Sequence, residues 1–259
     1  LPGGGCWSVA PGQVTDDGEL TLALLQALVP GAPYDADCAA AAYAKWYLSE
    51  PFDIGATTEA AVSAWRPRHA QDTEGAGAAL TAASAQRSAG SKANGSLMRA
   101  TPLGVWGAGV DDATLVAAAR ADSALTHPNP ACTDAVAAYC LAIAELVRRS
   151  DDRAAALERV EAWVAADADP EVRTWLAEAR EGVVVPYHPL AGFVRIAFTH
   201  AFRHLYAGTP FLDALRETLL GGGDTDTNAC IVGGLVGAAE EVTAIPNGMQ
   251  RKLLTCETT

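Results

Sequence analysis

The chain has 259 residues, of which 50% are hydrophobic and 19% are charged, and its formal net charge at pH 7 is −13. This composition is typical of a folded globular protein and argues against a disordered chain. The negative charge and the lack of a basic run argue against binding to nucleic-acid phosphates. We therefore expect one domain over residues 1–259, with no nucleic-acid partner.

Neither a membrane span nor a disulfide framework is predicted. No apolar stretch approaches the roughly 20 residues of a membrane-spanning helix, and the N-terminus carries no secretory signal. The six cysteines are scattered without a Cys-x-x-Cys pair, which argues against a zinc site. A reducing, cytoplasmic location is therefore expected. A monomer is the default expectation, although the sequence leaves the oligomeric state open.

The spacing of apolar residues predicts an all-α protein. Leu20, Leu24 and Leu28 recur every four residues after an acidic pair, so a helix is expected from Asp16 to about Leu28. The only β-like run, residues 181–191, contains two prolines, which limit it to a short extended loop. The other predicted helices cover residues 35–48, 59–65, 74–87, 111–125, 131–149, 151–166, 170–179, 192–206, 210–220 and 228–241.

Residues 221–227, Gly-Gly-Gly-Asp-Thr-Asp-Thr, place two carboxylates and two hydroxyls at the start of a predicted helix. An ordinary helix cap after a flexible turn would explain one Asp or Thr, but not the run of four. Carboxylate and hydroxyl oxygens are the ligands that Mg²⁺ and Mn²⁺ prefer. On these residues alone, the cap and the metal site both remain open.

A second acidic cluster, Thr15-Asp16-Asp17, begins the first predicted helix. Adjacent carboxylates repel each other and need a cation or solvent to remain ionised together. The two Thr/Asp clusters are separated by about 200 residues, and together they could hold one or two metal ions. Their spacing in the sequence does not show that they meet.

Two further segments carry polar groups in loops. The glycine-bearing loop over residues 88–96 could cradle a diphosphate with its backbone N–H groups, or it could be an ordinary surface loop. His127, which precedes a proline, could contact a ligand or could simply be a turn residue. Arg99 is expected to form a structural salt bridge more readily than a diphosphate clamp.

Four motifs in this order resemble the ADP-ribosylglycohydrolase family, of the dinitrogenase-reductase-activating type. The motifs are Thr15-Asp16-Asp17, Asn94-Gly95-Ser96-Leu97-Met98-Arg99, Thr126-His127-Pro128 and Gly222-Gly223-Asp224-Thr225-Asp226-Thr227. The resemblance covers about residues 4–246. It implies a compact all-α fold that hydrolyses the N- or O-glycosidic bond joining ADP-ribose to an acceptor, most often an arginine side chain of a protein.

The resemblance also implies two Mg²⁺ or Mn²⁺ ions in a cleft, and it assigns roles to residues. The implied metal ligands are Thr15, Asp16, Asp17, Asp224, Asp226 and Thr227. The candidate catalytic carboxylates are Asp16, Asp17, Glu19 and Asp226. The candidates for holding ADP-ribose are Ser91, Asn94, Gly95, Ser96, Met98, His127, Gly222 and Gly223.

Two departures from the family pattern leave catalysis open. Family members carry an earlier helix with a Gly-Asp-Ala-like run and an upstream Glu, and because nothing precedes Leu1 we expect that segment to be missing or rearranged. The acidic pair is followed by Gly18-Glu19-Leu20 instead of Thr-x-Met, so Glu19 could replace the lost Glu or be a solvated side chain. The alternatives are a catalytically silent ADP-ribose-binding protein and a di-metal hydrolase for another nucleotide-like small molecule.

Overall fold

The secondary structure is helical in a computed structural model that describes residues 3–5, 7–150, 152–240 and 242–256. No strand occurs in these residues, and the two isolated β-bridges join Gly4 to Val9 and Ala93 to Phe193. The expected all-α class is confirmed. In chain order the helices are α1 Asp16–Ala27, α2 Ala36–Tyr47, α3 Ala56–Val62, α4 Ala76–Arg87, α5 Thr101–Gly107, α6 Asp112–Ala124, α7 Pro130–Arg148, α8 Arg153–Asp167, α9 Pro170–Arg180, α10 Val194–Ala207, α11 Phe211–Gly221, α12 Thr225–Ala238 and α13 Asn247–Leu254.

Each predicted helix occurs, with ends that differ from the prediction by a few residues. Helices α5 and α13 were not predicted from the sequence. Helix α5 contains two glycines, and a Cβ on Gly104 would lie 2.7 Å from the Ile143 side chain, so α5 depends on close packing against α7. Helix α13 is only eight residues long and buries no residue. The predicted helix ends at Asp151 and Glu241, and Cys6, lie outside the described residues.

The core surrounds α7, which packs against α5, α6, α8 and α12. Alanines fill much of α7 and let these neighbouring helices approach closely. By length and composition α7 could cross a membrane, so the expectation that no apolar stretch approaches that length was wrong. However, 89% of that apolar window is buried inside the protein, as in the core helix of a soluble protein.

Helix α1 positions the acidic cluster of residues 15–17 against the rest of the molecule. Its apolar side chains Leu20 and Leu24 are fully buried, and the helix packs against α2, α5 and α12. Because α1 contacts α12, the beginnings of both helices lie side by side at one edge of the core. Each beginning carries one of the two Thr/Asp clusters.

Candidate active site

The two Thr/Asp clusters meet. Thr227 Oγ1 lies 3.5 Å from Asp17 Oδ2, although these residues are 210 positions apart in the chain. Thr15 Oγ1 donates a hydrogen bond to the same carboxylate oxygen over 2.9 Å. Asp17 therefore joins the beginning of α1 to the beginning of α12, a contact that the sequence alone could not establish.

The residues at the cap positions of α1 and α12 do not cap these helices. Thr15 precedes α1 and Asp224 precedes α12, and neither side chain accepts a capping hydrogen bond from a backbone N–H of its helix. In contrast, the side chains of Asp35 and Asp111 do cap α2 and α6 in the usual way. Helix capping therefore explains neither cluster, and the side-chain oxygens of Thr15 and Asp224 make other contacts.

Residues of both clusters line a cavity of about 240 Å³, although Thr15 and Asp17 are not among its lining residues. The other lining residues come mainly from the loop before α5, and from the start of α3 and the segment before it. A concave polar pocket of this kind, lined by several titratable groups, is a candidate active site. The predicted site residues that line it are Asp16, Asn94, Gly95, Met98, His127, Asp224, Asp226 and Thr227.

The crowded carboxylates disfavour one another's ionised forms. Burial, followed by the charges of Asp53 and Asp226, raises the pKa of Asp16 to about 6. Burial and the charges of Asp16 and Asp226 raise the pKa of Asp17 to about 8. The pKa of Asp224 is also raised, chiefly by burial, although a hydrogen bond from Asn94 opposes the shift. A bound cation would relieve this repulsion.

The donor set fits a hard divalent cation in its chemistry. Asp17 Oδ1 is buried and has no hydrogen-bond partner, so one carboxylate oxygen is free to coordinate. Among the residues that the structure describes, no three His, Cys, Asp or Glu side chains converge closely enough to enclose an ion by themselves. Threonine hydroxyls and further oxygen donors would therefore have to complete the coordination, as Mg²⁺ commonly requires.

The part of the cavity next to Asp224 is lined by Asn94, Gly95 and His127. The backbone N–H of Asn94 donates to the carbonyl oxygen of Gly192 over 3.0 Å, and its Nδ2 donates to Asp224 Oδ2 over 2.8 Å. A Cβ on Gly95 would lie 3.0 Å from the His127 ring, so the glycine lets the imidazole lie against the loop. Burial and the nearby Arg99 lower the pKa of His127 to about 3, so this imidazole is neutral at physiological pH.

Several predicted residues do not line the cavity. Ser96 is buried and accepts a hydrogen bond from Ser123 Oγ over 2.9 Å, while Ser91 Oγ lies 2.9 Å from Thr57 Oγ1. Gly222 and Gly223 have φ values of 76° and 70°, which favour glycine, and they shape the turn that carries Asp224.

Glu19 lies outside the cavity as well. Its Oε2 accepts a hydrogen bond from the indole Nε1 of Trp46 over 2.6 Å, and it lines a separate surface groove between α1 and α2. The structure therefore does not bring Glu19 to the other candidate catalytic residues. Its position is set by the packing of α1 on α2.

Arg99 has a structural role beneath the site. Its guanidinium is fully buried, pairs with Asp122 Oδ2 over 3.2 Å, and lies 4.2 Å from the centre of the Tyr43 ring. It also donates to Thr126 Oγ1, whose oxygen lies 2.8 Å from His127 Nδ1. The expected structural salt bridge is confirmed, and through Thr126 it orients the His127 ring.

Asp53 also lines the cavity, and it was not among the residues predicted from the sequence. It lies between α2 and α3 and lines the cavity with Gly55, Thr57 and Thr58. Its charge is the largest electrostatic contribution to the raised pKa of Asp16. A lone Asp in a loop has no sequence signature, and only its proximity to the clusters in space reveals it.

Comparisons with known proteins agree with this geometry. Residues 1–258 match the family model described as ADP-ribosylglycohydrolase. A protein of Acanthamoeba polyphaga mimivirus named as an ADP-ribosyl glycohydrolase is 29% identical over 277 residues, covering 100% of this chain and 80% of that protein. The ADP-ribosyl-(dinitrogen reductase) glycohydrolase of Rhodospirillum rubrum is 29% identical over 255 residues, covering 98% of this chain and 78% of that protein.

A solved structure of an ADP-ribosylglycohydrolase-related protein complex has a similar fold. Its TM-score is 0.74 at 25% sequence identity, and the match covers 98% of this chain and 80% of the other. The resemblance seen in the four motifs is therefore confirmed along the whole chain.

Proposed function

Since the chain belongs to the ADP-ribosylglycohydrolase family, we propose that it hydrolyses the glycosidic bond between ADP-ribose and an arginine side chain of a protein, with Mg²⁺ or Mn²⁺ bound at the cavity. One observation carries this proposal: the Thr/Asp clusters of α1 and α12 meet at Asp17 and border one cavity. That cavity also presents Asp53, a carboxylate outside both clusters.

The metal would be held by the oxygens of the two clusters. When bound, a divalent cation would neutralise the crowded carboxylates and act as a Lewis acid toward an oxygen of the ribose. The raised pKa values of Asp16 and Asp17 and the unpartnered Asp17 Oδ1 support this placement. The residues proposed to hold it are Thr15, Asp16, Asp17, Asp224, Asp226 and Thr227.

The hydrolysis needs a base for water and a route for one proton. The water oxygen forms a bond to the anomeric carbon while the bond from that carbon to the guanidino nitrogen breaks, and the electron pair stays on the nitrogen. A carboxylate removes the proton that the water loses, and the departing nitrogen gains one. Asp53 is proposed as this base, because it lines the cavity and does not belong to the proposed ligand set.

An arginine acceptor suits the charge of the cavity. Four carboxylates line it, those of Asp16, Asp53, Asp224 and Asp226, while His127 is neutral. A guanidinium is always cationic and forms strong hydrogen bonds to carboxylates. Carboxylates that are not engaged by the metal would therefore attract this acceptor more strongly than a neutral serine.

The carboxylate of Asp53 argues against a catalytically silent binder. That alternative depended on the lack of a replacement for the family's upstream Glu. Glu19 is hydrogen-bonded to Trp46 outside the cavity, but Asp53 places a carboxylate inside it. A base is therefore available without either Glu.

A substrate panel tests the proposal. Proteins carrying ADP-ribose on arginine or on serine would be incubated with the chain and Mg²⁺ or Mn²⁺, with parallel samples in EDTA, and free ADP-ribose would be quantified. Metal-dependent release from arginine alone is the expected result. Release from serine alone would contradict the acceptor, and tight ADP-ribose binding without any release would contradict the enzyme.

A further inference from the structure

Two exposed aromatic rings lie beside the segment that brings Asp53 into the cavity. Trp7 and Phe52 meet edge to face, with ring centroids 6.1 Å apart and planes inclined by 65°. Trp7 is 52% exposed and Phe52 is 37% exposed, and neither belongs to the buried core that the structure describes. Phe52 directly precedes Asp53 in the chain, so the pair lies near the cavity.

Packing alone does not explain this pair. Single exposed apolar residues are ordinary, but here two large rings from separate segments contact each other in solvent. An edge-to-face contact uses the edge of one ring and the face of the other, which leaves further ring faces free. Exposed aromatic residues next to a polar site are typical of surfaces that bind a partner.

We propose that Trp7 and Phe52, together with Glu50, bind the cationic peptide segment that flanks the modified side chain of the acceptor protein. This inference rests on the proposed function, because it requires a protein-linked ADP-ribose to enter the cavity. It adds an acceptor-binding surface to that function.

The charges near the pair favour a cationic occupant. Glu50 is exposed on the same loop as Phe52, and Asp53 follows directly. The chain as a whole carries a formal net charge of −13, which attracts basic segments from a distance. The free faces of Trp and Phe rings attract arginine and lysine side chains through cation–π contacts.

The same charges disfavour the nucleotide end of the substrate at this surface. A diphosphate next to Glu50 and Asp53 would be repelled. The loop around Asn94 and Gly95 lines the cavity and contains backbone N–H groups, and the Asp224 carboxylate beside it already accepts a hydrogen bond from Asn94. The acceptor is therefore assigned to the Phe52 side of the cavity, and the diphosphate to the Gly95 side.

Two substrates that differ only in their acceptor test the inference. One is a basic peptide with ADP-ribose on a central arginine, and the other is ADP-ribose on free arginine. The variants are Trp7→Ala and Phe52→Ala, with Phe52→Tyr as the conservative variant. The control is Leu25→Ala, since Leu25 on the outer face of α1 is 53% exposed, about as much as Trp7.

Loss of either ring is expected to raise KM for the peptide about fivefold, as a cation–π contact of ~1 kcal/mol implies, with kcat unchanged. KM for the free-arginine substrate should not change, and Phe52→Tyr and Leu25→Ala should resemble the wild type. Far-ultraviolet circular dichroism would verify that each variant folds.

Three outcomes would overturn the inference, and they are distinguishable. No turnover of either substrate by the wild type would contradict the proposed function and the inference together. Turnover with the same peptide KM in wild type and Trp7→Ala would overturn the inference alone. An equal rise of KM for both substrates would place the nucleotide, not the acceptor, on the aromatic pair.

Discussion

Asn94 Nδ2 donates a hydrogen bond to Asp224 Oδ2 over 2.8 Å, which ties the loop before α5 to the turn before α12. The two residues are 130 positions apart, and both line the cavity. Hydrogen bonds to an ionised carboxylate are stronger than those between neutral groups. This contact lowers the pKa of Asp224 against the effect of burial and fixes one of its two oxygens.

Asn94→Ala should therefore lower activity without unfolding the protein. Loss of the contact removes one of the side-chain hydrogen bonds that position Asp224. We expect kcat/KM for ADP-ribose release to fall about tenfold, which corresponds to ~1.4 kcal/mol. Asn129→Ala is the control. The side chain of Asn129 donates a hydrogen bond to the backbone carbonyl of Ala89 and caps α7. The free energy of unfolding of this control variant should fall by about 1 kcal/mol, and its activity should be retained. Unchanged kcat/KM in Asn94→Ala would refute the role of this contact.

Asp53 and Glu19 make a matched pair for identifying the base. Asp53→Asn removes a cavity carboxylate and is expected to lower kcat by about 100-fold or more, the usual effect of losing a general base. Glu19→Gln alters a carboxylate that bonds Trp46 outside the cavity, and its kcat should stay within about twofold of wild type. Steady-state kinetics with saturating Mn²⁺ measures both. The opposite ranking would mean that Glu19 reaches the substrate.

His127 should make the protein less stable in mild acid. Its pKa is lowered from 6.5 to about 3 in the folded protein, mainly because the ring is buried. As the pH falls below 6.5, the unfolded chain takes up a proton here that the folded chain does not, so the free energy of unfolding decreases. Between pH 7 and pH 5 this effect amounts to about 2 kcal/mol.

Urea unfolding at pH 7 and pH 5 measures the effect as a difference between wild type and His127→Asn. The variant should lose about 2 kcal/mol less than the wild type over this interval. His69→Asn, at an exposed histidine, is measured beside it as the control substitution. The same pH dependence in His127→Asn as in the wild type would show that the ring ionises in the folded state.

Replacing the buried Arg99 should lower the free energy of unfolding more than replacing an exposed arginine does. Arg99→Met leaves the Asp122 carboxylate buried without its cation, and we expect the free energy of unfolding to fall by about 3–5 kcal/mol. Arg68 is the control, since its side chain is 67% exposed, and it pairs with the buried Asp72 and the exposed Glu74. Arg68→Met should lower the free energy of unfolding clearly less than Arg99→Met does, because solvent screens the ion pairs of an exposed arginine. Urea unfolding compares the two, and similar losses would contradict the assigned role of Arg99.

The fold class and most helices could be predicted from the sequence because apolar spacing reports which face of a helix is buried. Helix α5 could not, since Gly104 and Gly107 weaken any local helical preference and the helix depends on its contact with α7. No apolar stretch was expected to approach the length of a membrane span, but α7 does so, and its burial among other helices distinguishes it from a span.

The site could be predicted only where residues form a motif. The clusters at Asp17 and Asp226 carry a dense local pattern, and the structure brings them together. Asp53 is a single carboxylate in a loop, so its contribution depends entirely on how α2 and α3 place it. The direction in which the Glu19 side chain points likewise depends on its contact with Trp46 of α2. The residues next to Glu19 in the sequence do not reveal this contact.

Release of ADP-ribose by protein that has been stripped with EDTA and reloaded with Mn²⁺ tests the central claim most directly. The substrate is an ADP-ribosyl-arginine protein, and wild type is compared with Asp16→Ala and Asp226→Ala. Both variants change carboxylates that line the cavity, one from each cluster. The wild type should be inactive after EDTA and active again with Mn²⁺, while both variants stay inactive and bind Mn²⁺ more weakly. Full activity in either variant, or in the wild type without metal, would contradict a shared metal site at the two helix beginnings.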